Sequence, residues 1–193
     1  MVNIVNVGYR STNYYVLADT KPRLLVDAGW PGTLPAFQHA CSRKGIRLED
    51  VPWQLTTHFH PDHAGLTEEL KRQGVRLLML DSQVGGVELL RGYVKPEDHF
   101  TPIELAGASV ISAEESRAFL EGIGVQGEII STPGHSDDSV TLVLDEGLAF
   151  TGDLTAPMFV PDDPANLSYQ SWEKLRELGV HTVYPGHGPP WHL

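Results

Sequence analysis

The sequence predicts an α/β fold, a layered sandwich with sheets inside and helices outside. Three observations lead there. Short runs rich in Val, Leu, Ile and Tyr alternate with helix-length amphipathic segments along the whole chain. Glycine and proline punctuate nearly every boundary between them. No low-complexity stretch or linker interrupts the mixture, so 1–193 reads as a single domain, large enough to bury a full core.

Taken in order, Val5–Gly8, Tyr14–Ala18 and Arg23–Asp27 read as antiparallel strands separated by Ser-Thr-Asn at 11–13 and an Asp-Thr-Lys-Pro turn at 19–22. Pro31-Gly32 breaks the chain, and Leu34–Lys44 reads as a helix stopped by Gly45. Cys41 lies inside that helix as a packing residue. Gln54–Thr57 is a short strand, and Leu66–Gln73 a helix closed by Gly74. Arg76–Leu80 is a buried strand, followed by a helical Ser82–Leu90 that Gly85-Gly86 weakens. Residues 91–102 are expected to be irregular. Val110–Ser112 is a strand, Ala113–Glu121 a helix and Gly127–Thr132 a strand. Ser139–Leu144 and Leu148–Thr151 form a hairpin through Asp-Glu-Gly. After an irregular 155–169, Ser171–Leu178 is a helix ended by Gly179, and Val180–Tyr184 is the last strand.

Composition narrows the function. A formal charge of −11 argues against nucleic acid as a partner, because phosphate binding needs a basic face. No apolar run approaches the length of a membrane span. The N-terminus lacks the pattern of a secretory signal, and one cysteine allows no intrachain disulfide; both favour the cytoplasm.

The chemistry is concentrated in THFHPDHAG, residues 57–65. At this chain's own histidine frequency, an accidental HxHxDH is expected about once in a thousand such sequences. In extended backbone, alternate residues point the same way, so His58 and His60 can reach one ion. Asp62 and His63 are adjacent and must diverge, which suits a second ion nearby. His135, Asp153 and His187 each follow a strand and each has glycine immediately before it: Gly134, Gly152 and Gly186. Glycine lets the backbone turn tightly enough to aim the next side chain inward. Loops after strands of one sandwich converge at one edge, so these three complete a donor set.

With these motifs in order, from Asp27 in LLVDAG through THFHPDHAG to His135, Asp153 and His187, the sequence resembles the metallo-β-lactamase superfamily over nearly its whole length. The resemblance implies a four-layered αβ/βα sandwich with metals at one edge. It implies that His58, His60 and His135 hold one ion, that Asp62, His63 and His187 hold another, and that Asp153 bridges them. Asp27 is implied to orient a metal-bound histidine. Two divalent ions, most readily Zn²⁺ with Fe or Mn as alternatives, suit imidazole and carboxylate donors without thiolate. Such a pair lowers the pKa of a shared water from 15.7 toward about 7, giving hydroxide at neutral pH to attack an ester, thioester or lactone carbonyl. Asp62 is expected to orient that water.

Within the family, glyoxalase II is similar in its full ligand set, but the helical domain that grips glutathione is not expected in a chain ending six residues after His187. Secreted β-lactamases and RNA-processing nucleases fit less well, for want of a signal peptide and of basic charge respectively. The alternatives are a mononuclear iron persulfide dioxygenase or a phosphodiesterase on the same fold, and, in another class, a non-catalytic metal-binding domain. The partner is expected to be a small-molecule substrate. At the mouth of the site, Met158 and Phe159 are candidates for an apolar wall, and Tyr93, Arg91 and Lys95 for contacts to a polar substrate end. Trp191 and His192 are expected at its edge. His39, His99, His181 and His192 are left out of the metal set, with His181 read as structural.

Overall fold

The structure, a computed structural model, describes residues 2–18 and 22–193. The expected turn residues 19–21 lie outside the described residues. Among the described residues, eleven strands form two sheets. The first has the order β1 (Asn3–Asn6), β2 (Tyr15–Ala18), β3 (Pro22–Val26), β4 (Trp53–Leu55), β5 (Arg76–Leu80), β6 (Ser109–Ile111). Its first three strands are antiparallel, and β3 through β6 run parallel. The second sheet contains β7 (Gly127–Ser131), β8 (Val140–Leu144), β9 (Leu148–Gly152), β10 (Thr182–Pro185) and β11 (Trp191–His192), in the reverse order from its edge. Strands β9 and β10 are parallel, and β7 and β8 precede them as antiparallel neighbours.

Period-two alternation decides which side chains meet. Leu24 and Val26 of β3, Leu78 and Leu80 of β5, and Leu142 and Leu144 of β8 point between the sheets into one buried cluster with Tyr15, Leu55, Ile129 and Phe150. Their neighbours in sequence face the other way. Val16 and Leu25 pack outward against Phe37 and Cys41 of α1 (Leu34–Arg43) and Leu70 of α3 (Thr67–Arg72). Leu77 and Met79 pack against Val87 and Leu90 of α4 (Val84–Tyr93). On the second sheet, Val143, Ala149 and Val183 receive Trp172 and Leu175 of α6 (Leu167–Glu177). The result is the expected αβ/βα layering. Burial holds the Cys41 thiol up at about 12, which fits a packing residue and not a reactive one.

Several boundaries differ from expectation. The first strand lies two residues earlier, at Asn3–Asn6. A short helix, α2 (Pro61–Ala64), forms inside the histidine turn, with proline at its first position, where no hydrogen bond is lost. Residues 91–93, expected to be irregular, continue α4: burial of Val87 and Leu90 outweighs the low helix propensity of its three glycines. Helix α6 starts at Leu167, where the Asn166 side chain accepts a hydrogen bond from Tyr169 N as its N-cap. The capping box of α5 (Ala113–Gly122), Ser112 with Glu115, accounts for the helix start at Ala113.

Among the described residues, no helix is long and apolar enough to cross a membrane.

Candidate metal centre

Every candidate donor leaves the C-terminal end of a strand. Asp27 follows β3, residues 57–63 follow β4, His135 follows β7, Asp153 follows β9, and His187 follows β10. The two sheets are stitched together at this edge. Val140 N donates to Thr57 O at 2.8 Å, Asn13 N to Gly186 O at 2.7 Å, and the Tyr15 hydroxyl to Pro185 O at 3.0 Å.

The seven donors come together as three overlapping groups, each with one atom per residue inside a 4.8 Å span: His58–His60–His135, His58–His63–Asp153 and Asp62–His63–His187. In the first group, His60 Nδ1 lies 3.1 Å from His58 Nε2 and 3.0 Å from His135 Nε2. In the last, Asp62 Oδ2 lies 3.2 Å from His187 Nε2 and 3.5 Å from His63 Nε2. Asp153 stands between the groups, its Oδ2 3.7 Å from His135 and 3.4 Å from His187.

The protons on three of these rings are fixed from outside. A carboxylate only accepts, so His63 Nδ1–H donates to Asp27 Oδ2, 2.8 Å away. His187 Nδ1–H likewise donates to Ser11 O at 2.7 Å. The Thr57 hydroxyl donates to Asp27 Oδ2 at 2.9 Å, which leaves its oxygen to accept from His58 Nδ1–H at 3.2 Å. Each ring therefore turns its Nε2 inward. Buried His63 Nε2 and Asp153 Oδ1 face each other at 3.2 Å, yet neither has a hydrogen-bond partner. Inward ring nitrogens and carboxylate oxygens about 3 Å apart, oriented from behind, form an arrangement that can hold a metal ion. A tetrahedral ion with bonds of about 2.0–2.1 Å spaces its donors about 3.3 Å apart.

Burial disfavours charge on His63, but Asp27 and Asp153 outweigh it and raise its pKa to about 10. Burial, then His63, holds His58 well below the ordinary imidazole range. His135 is lowered by burial despite Asp153. Burial opposes ionisation of Asp153, but His63, His58 and His187 hold its carboxyl below the usual range. The negative charge of Asp27 and Asp153 is thus offset by a proton on His63, the charge that a bound cation would replace, while burial keeps His58 and His135 neutral.

All three glycines that precede the loop donors are demanded by close approach: a Cβ on Gly134, at φ +145°, would overlap Ser168. Gly152 has φ +53°, and a Cβ there would overlap the Thr57 hydroxyl; a Cβ on Gly186 would meet Asp153 Oδ1 and the His63 ring.

Several supporting residues carry weak sequence signals. Thr12, which reads only as turn material, donates to Asp62 Oδ2 at 3.0 Å. Asp138, the second aspartate of SDDS, accepts from Phe59 N at 2.7 Å and so pins the residue between His58 and His60. Gln83 is fully buried, and its amide donates to Thr56 O at 2.9 Å and Asp138 O at 3.2 Å. Gly86 explains itself here: a Cβ would strike the Asp138 carboxylate, whereas one on Gly85 meets nothing. Gly85→Ala is expected to raise stability by about 0.5–1 kcal/mol. Gly86→Ala should lower it by about 1–3 kcal/mol through overpacking. Urea denaturation of the two variants measures the contrast.

Around the mouth, Tyr93 stacks edge-on to His60 with centroids 5.0 Å apart, and Phe159 and Trp191 line a cleft with His135, Asp153 and His187. Met158 is exposed and lines neither that cleft nor its neighbour beside His60. Arg91 and Lys95 also depart from expectation. Arg91 faces Glu88 one helical turn away at 3.4 Å, Lys95 N is held by the Asp98 carboxylate, and neither side chain lines these clefts. His181 and His192 each hydrogen-bond Thr182, away from the cluster. A larger cleft, about 1170 Å³, opens at the other ends of the strands beside Arg23, Trp53 and Arg76, and none of the seven donors lines it.

Comparison with known proteins places this geometry. The profile of the metallo-β-lactamase superfamily matches residues 7–187. A probable metallo-hydrolase of Methanocaldococcus jannaschii is 27% identical, with 94% of this chain and 89% of that protein aligned. An atrochrysone carboxyl ACP thioesterase of Aspergillus fumigatus is 30% identical over 93% of this chain, which spans about half (51%) of that enzyme. Among solved structures, a metallo-β-lactamase family protein from Thermus thermophilus superposes with a TM-score of 0.76 at 21% identity, covering 99% of this chain and 74% of that one.

Proposed function

The chain belongs to the metallo-β-lactamase superfamily, and from that premise we propose that it is a binuclear metallohydrolase acting on an ester, thioester or lactone carbonyl. The observation that carries the reading is the convergence of seven imidazole and carboxylate donors at one sheet edge, with His63 Nε2 and Asp153 Oδ1 buried without partners and the outer nitrogens of His58, His63 and His187 pinned. His58, His60 and His135 would hold one ion; Asp62, His63 and His187 would hold the other; Asp153 would touch both. Five imidazoles and two carboxylates without thiolate suit Zn²⁺ best, with Fe or Mn as alternatives. The bound cations would supply an activated water at neutral pH and Lewis-acid polarisation of the carbonyl.

The chain's own residues do the rest. Thr12 fixes Asp62 in the rotamer that faces the second group, so the carboxylate can orient the attacking water as well as bind. Asp27 sets the tautomer of His63 directly and that of His58 through Thr57. His135 and His187 are more exposed than the deeply buried His58 and His63, so substrate reaches the cluster from their side. The relationship to a thioesterase favours acyl substrates over phosphodiesters. We expect about two equivalents of metal per chain by elemental analysis, and turnover in a panel of thioesters, lactones and phosphodiesters confined to the carbonyl compounds. One equivalent of iron with oxygen consumption would instead support the persulfide dioxygenase.

A further inference from the structure

Two clefts meet at the donor cluster, and His135 lines both. One, about 350 Å³, is walled by Leu154, Phe159 and Trp191. The other, about 220 Å³, has Leu89 and Tyr93 on its wall and the carboxylates of Asp137 and Asp138 beside them. Phe159 is 75% exposed, Leu89 62% and Tyr93 56%. A single exposed hydrophobic residue is ordinary, but three around one reactive centre, two on α4 and one on the separate segment 157–159, form a rim that a ligand can cover. No lysine or arginine lines either cleft. Arg10, two residues from Thr12, also stays off both walls.

We propose that the substrate is a neutral acyl thioester or ester with an apolar acyl chain, and that anionic substrates are turned away. The acyl chain lies in the cleft of Phe159 and Trp191, whose only ionisable wall groups are the donors themselves. The leaving group lies beside Leu89 and Tyr93. A carboxylate or phosphate there would find no lysine or arginine to replace its water, and Asp137 would repel it. In the reaction, water oxygen forms the new bond to the acyl carbon as the carbon–sulfur bond breaks. One water proton ends on the thiol, and the other leaves with the carboxylic acid, which ionises. No oxidant or reductant is needed.

This rests on the hydrolase reading, and the test separates the two. The metal-loaded protein is assayed on N-acetylcysteamine thioesters from acetyl to octanoyl, and on acetyl-glutathione as the anionic counterpart of the acetyl compound. We expect kcat/KM to rise about twofold per methylene, about half the effect of full burial. Acetyl-glutathione should lie at least tenfold below its neutral counterpart. Phe159→Ala should flatten the octanoyl-to-acetyl ratio, and Leu89→Arg should narrow the gap for acetyl-glutathione. Hydrolysis with no dependence on chain length, or with the glutathione thioester preferred, overturns the substrate assignment and leaves the hydrolase standing. A protein carrying two metals that hydrolyses no thioester, ester or lactone overturns both.

Discussion

Replacing Asp153 by alanine is expected to cost at least about a thousandfold in turnover and to drop the metal content from two equivalents to one or fewer. The magnitude follows from how many interactions end on one carboxylate. Removing a single preorganised electrostatic group from an active site costs about a hundred- to a thousandfold. Asp153 is more than a single group, because its Oδ2 faces His135 on one side and His187 on the other while Oδ1 faces His63. Without it, the two trios keep their own donors but lose the shared one, and the site loses a full negative charge that offsets two cations. The weaker-bound ion leaves first. Asp153→Asn is the sharper variant: it preserves shape beside Gly186, so a fall in activity as deep as alanine's assigns the effect to charge and not to packing. Elemental analysis after dialysis, alongside kcat at saturating metal, reads both effects. Full activity in either variant contradicts a bridging role.

How much of this was legible in sequence depends on how local each signal is. The HxHxDH turn is contiguous, so its strand-then-turn geometry can be read without tertiary information. His135, Asp153 and His187 were readable because each repeats the same local device, a strand, a glycine and a donor. The structure shows that all three of those glycines are required by neighbours from other segments: Ser168 for Gly134, Thr57 for Gly152, Asp153 and His63 for Gly186. Thr12, Gln83 and Asp138 were invisible for the opposite reason. Each acts on a partner distant in sequence, and a lone threonine, glutamine or aspartate in a loop has no pattern of its own. The extension of α4 through Tyr93 was misjudged because propensity is a local quantity, whereas Val87 and Leu90 are held by β5. That same error hid Tyr93's position: a residue in an irregular loop has no predictable direction, but on the last turn of α4 it is placed against His60. Arg91 and Lys95, expected to contact the substrate, line neither cleft beside the donors.

Asp27→Ala is expected to be the most damaging single change to the fold of the site, even though Asp27 belongs to none of the three donor groups. Its carboxylate is 3% exposed and accepts from Thr57 N at 2.7 Å, the Thr57 hydroxyl at 2.9 Å and His63 Nδ1 at 2.8 Å. Alanine leaves those donors buried without an acceptor. Breaking a buried charged network in this way costs about 3–5 kcal/mol. Alanine is also strained at this position, since Asp27 sits at φ +63°, which aspartate and asparagine tolerate better than other side chains. At about 2–4 °C per kcal/mol for a chain of this size, the melting temperature should fall by roughly 10 °C or more. Asp27→Asn isolates the functional part of the loss. It keeps the left-handed backbone and one acceptor, which can still serve Thr57 N. Its amide, however, presents hydrogens where the Thr57 hydroxyl and His63 Nδ1–H need an oxygen. His63 is then free to turn its proton inward, onto the nitrogen that would bind the metal. The expected outcome is a smaller loss of stability than alanine's, together with metal affinity weakened about ten- to a hundredfold. Calorimetry and metal titration on the two variants distinguish these effects. An asparagine variant that binds two metals as tightly as the parent would show that Asp27 supports the fold without setting the tautomers of the donors.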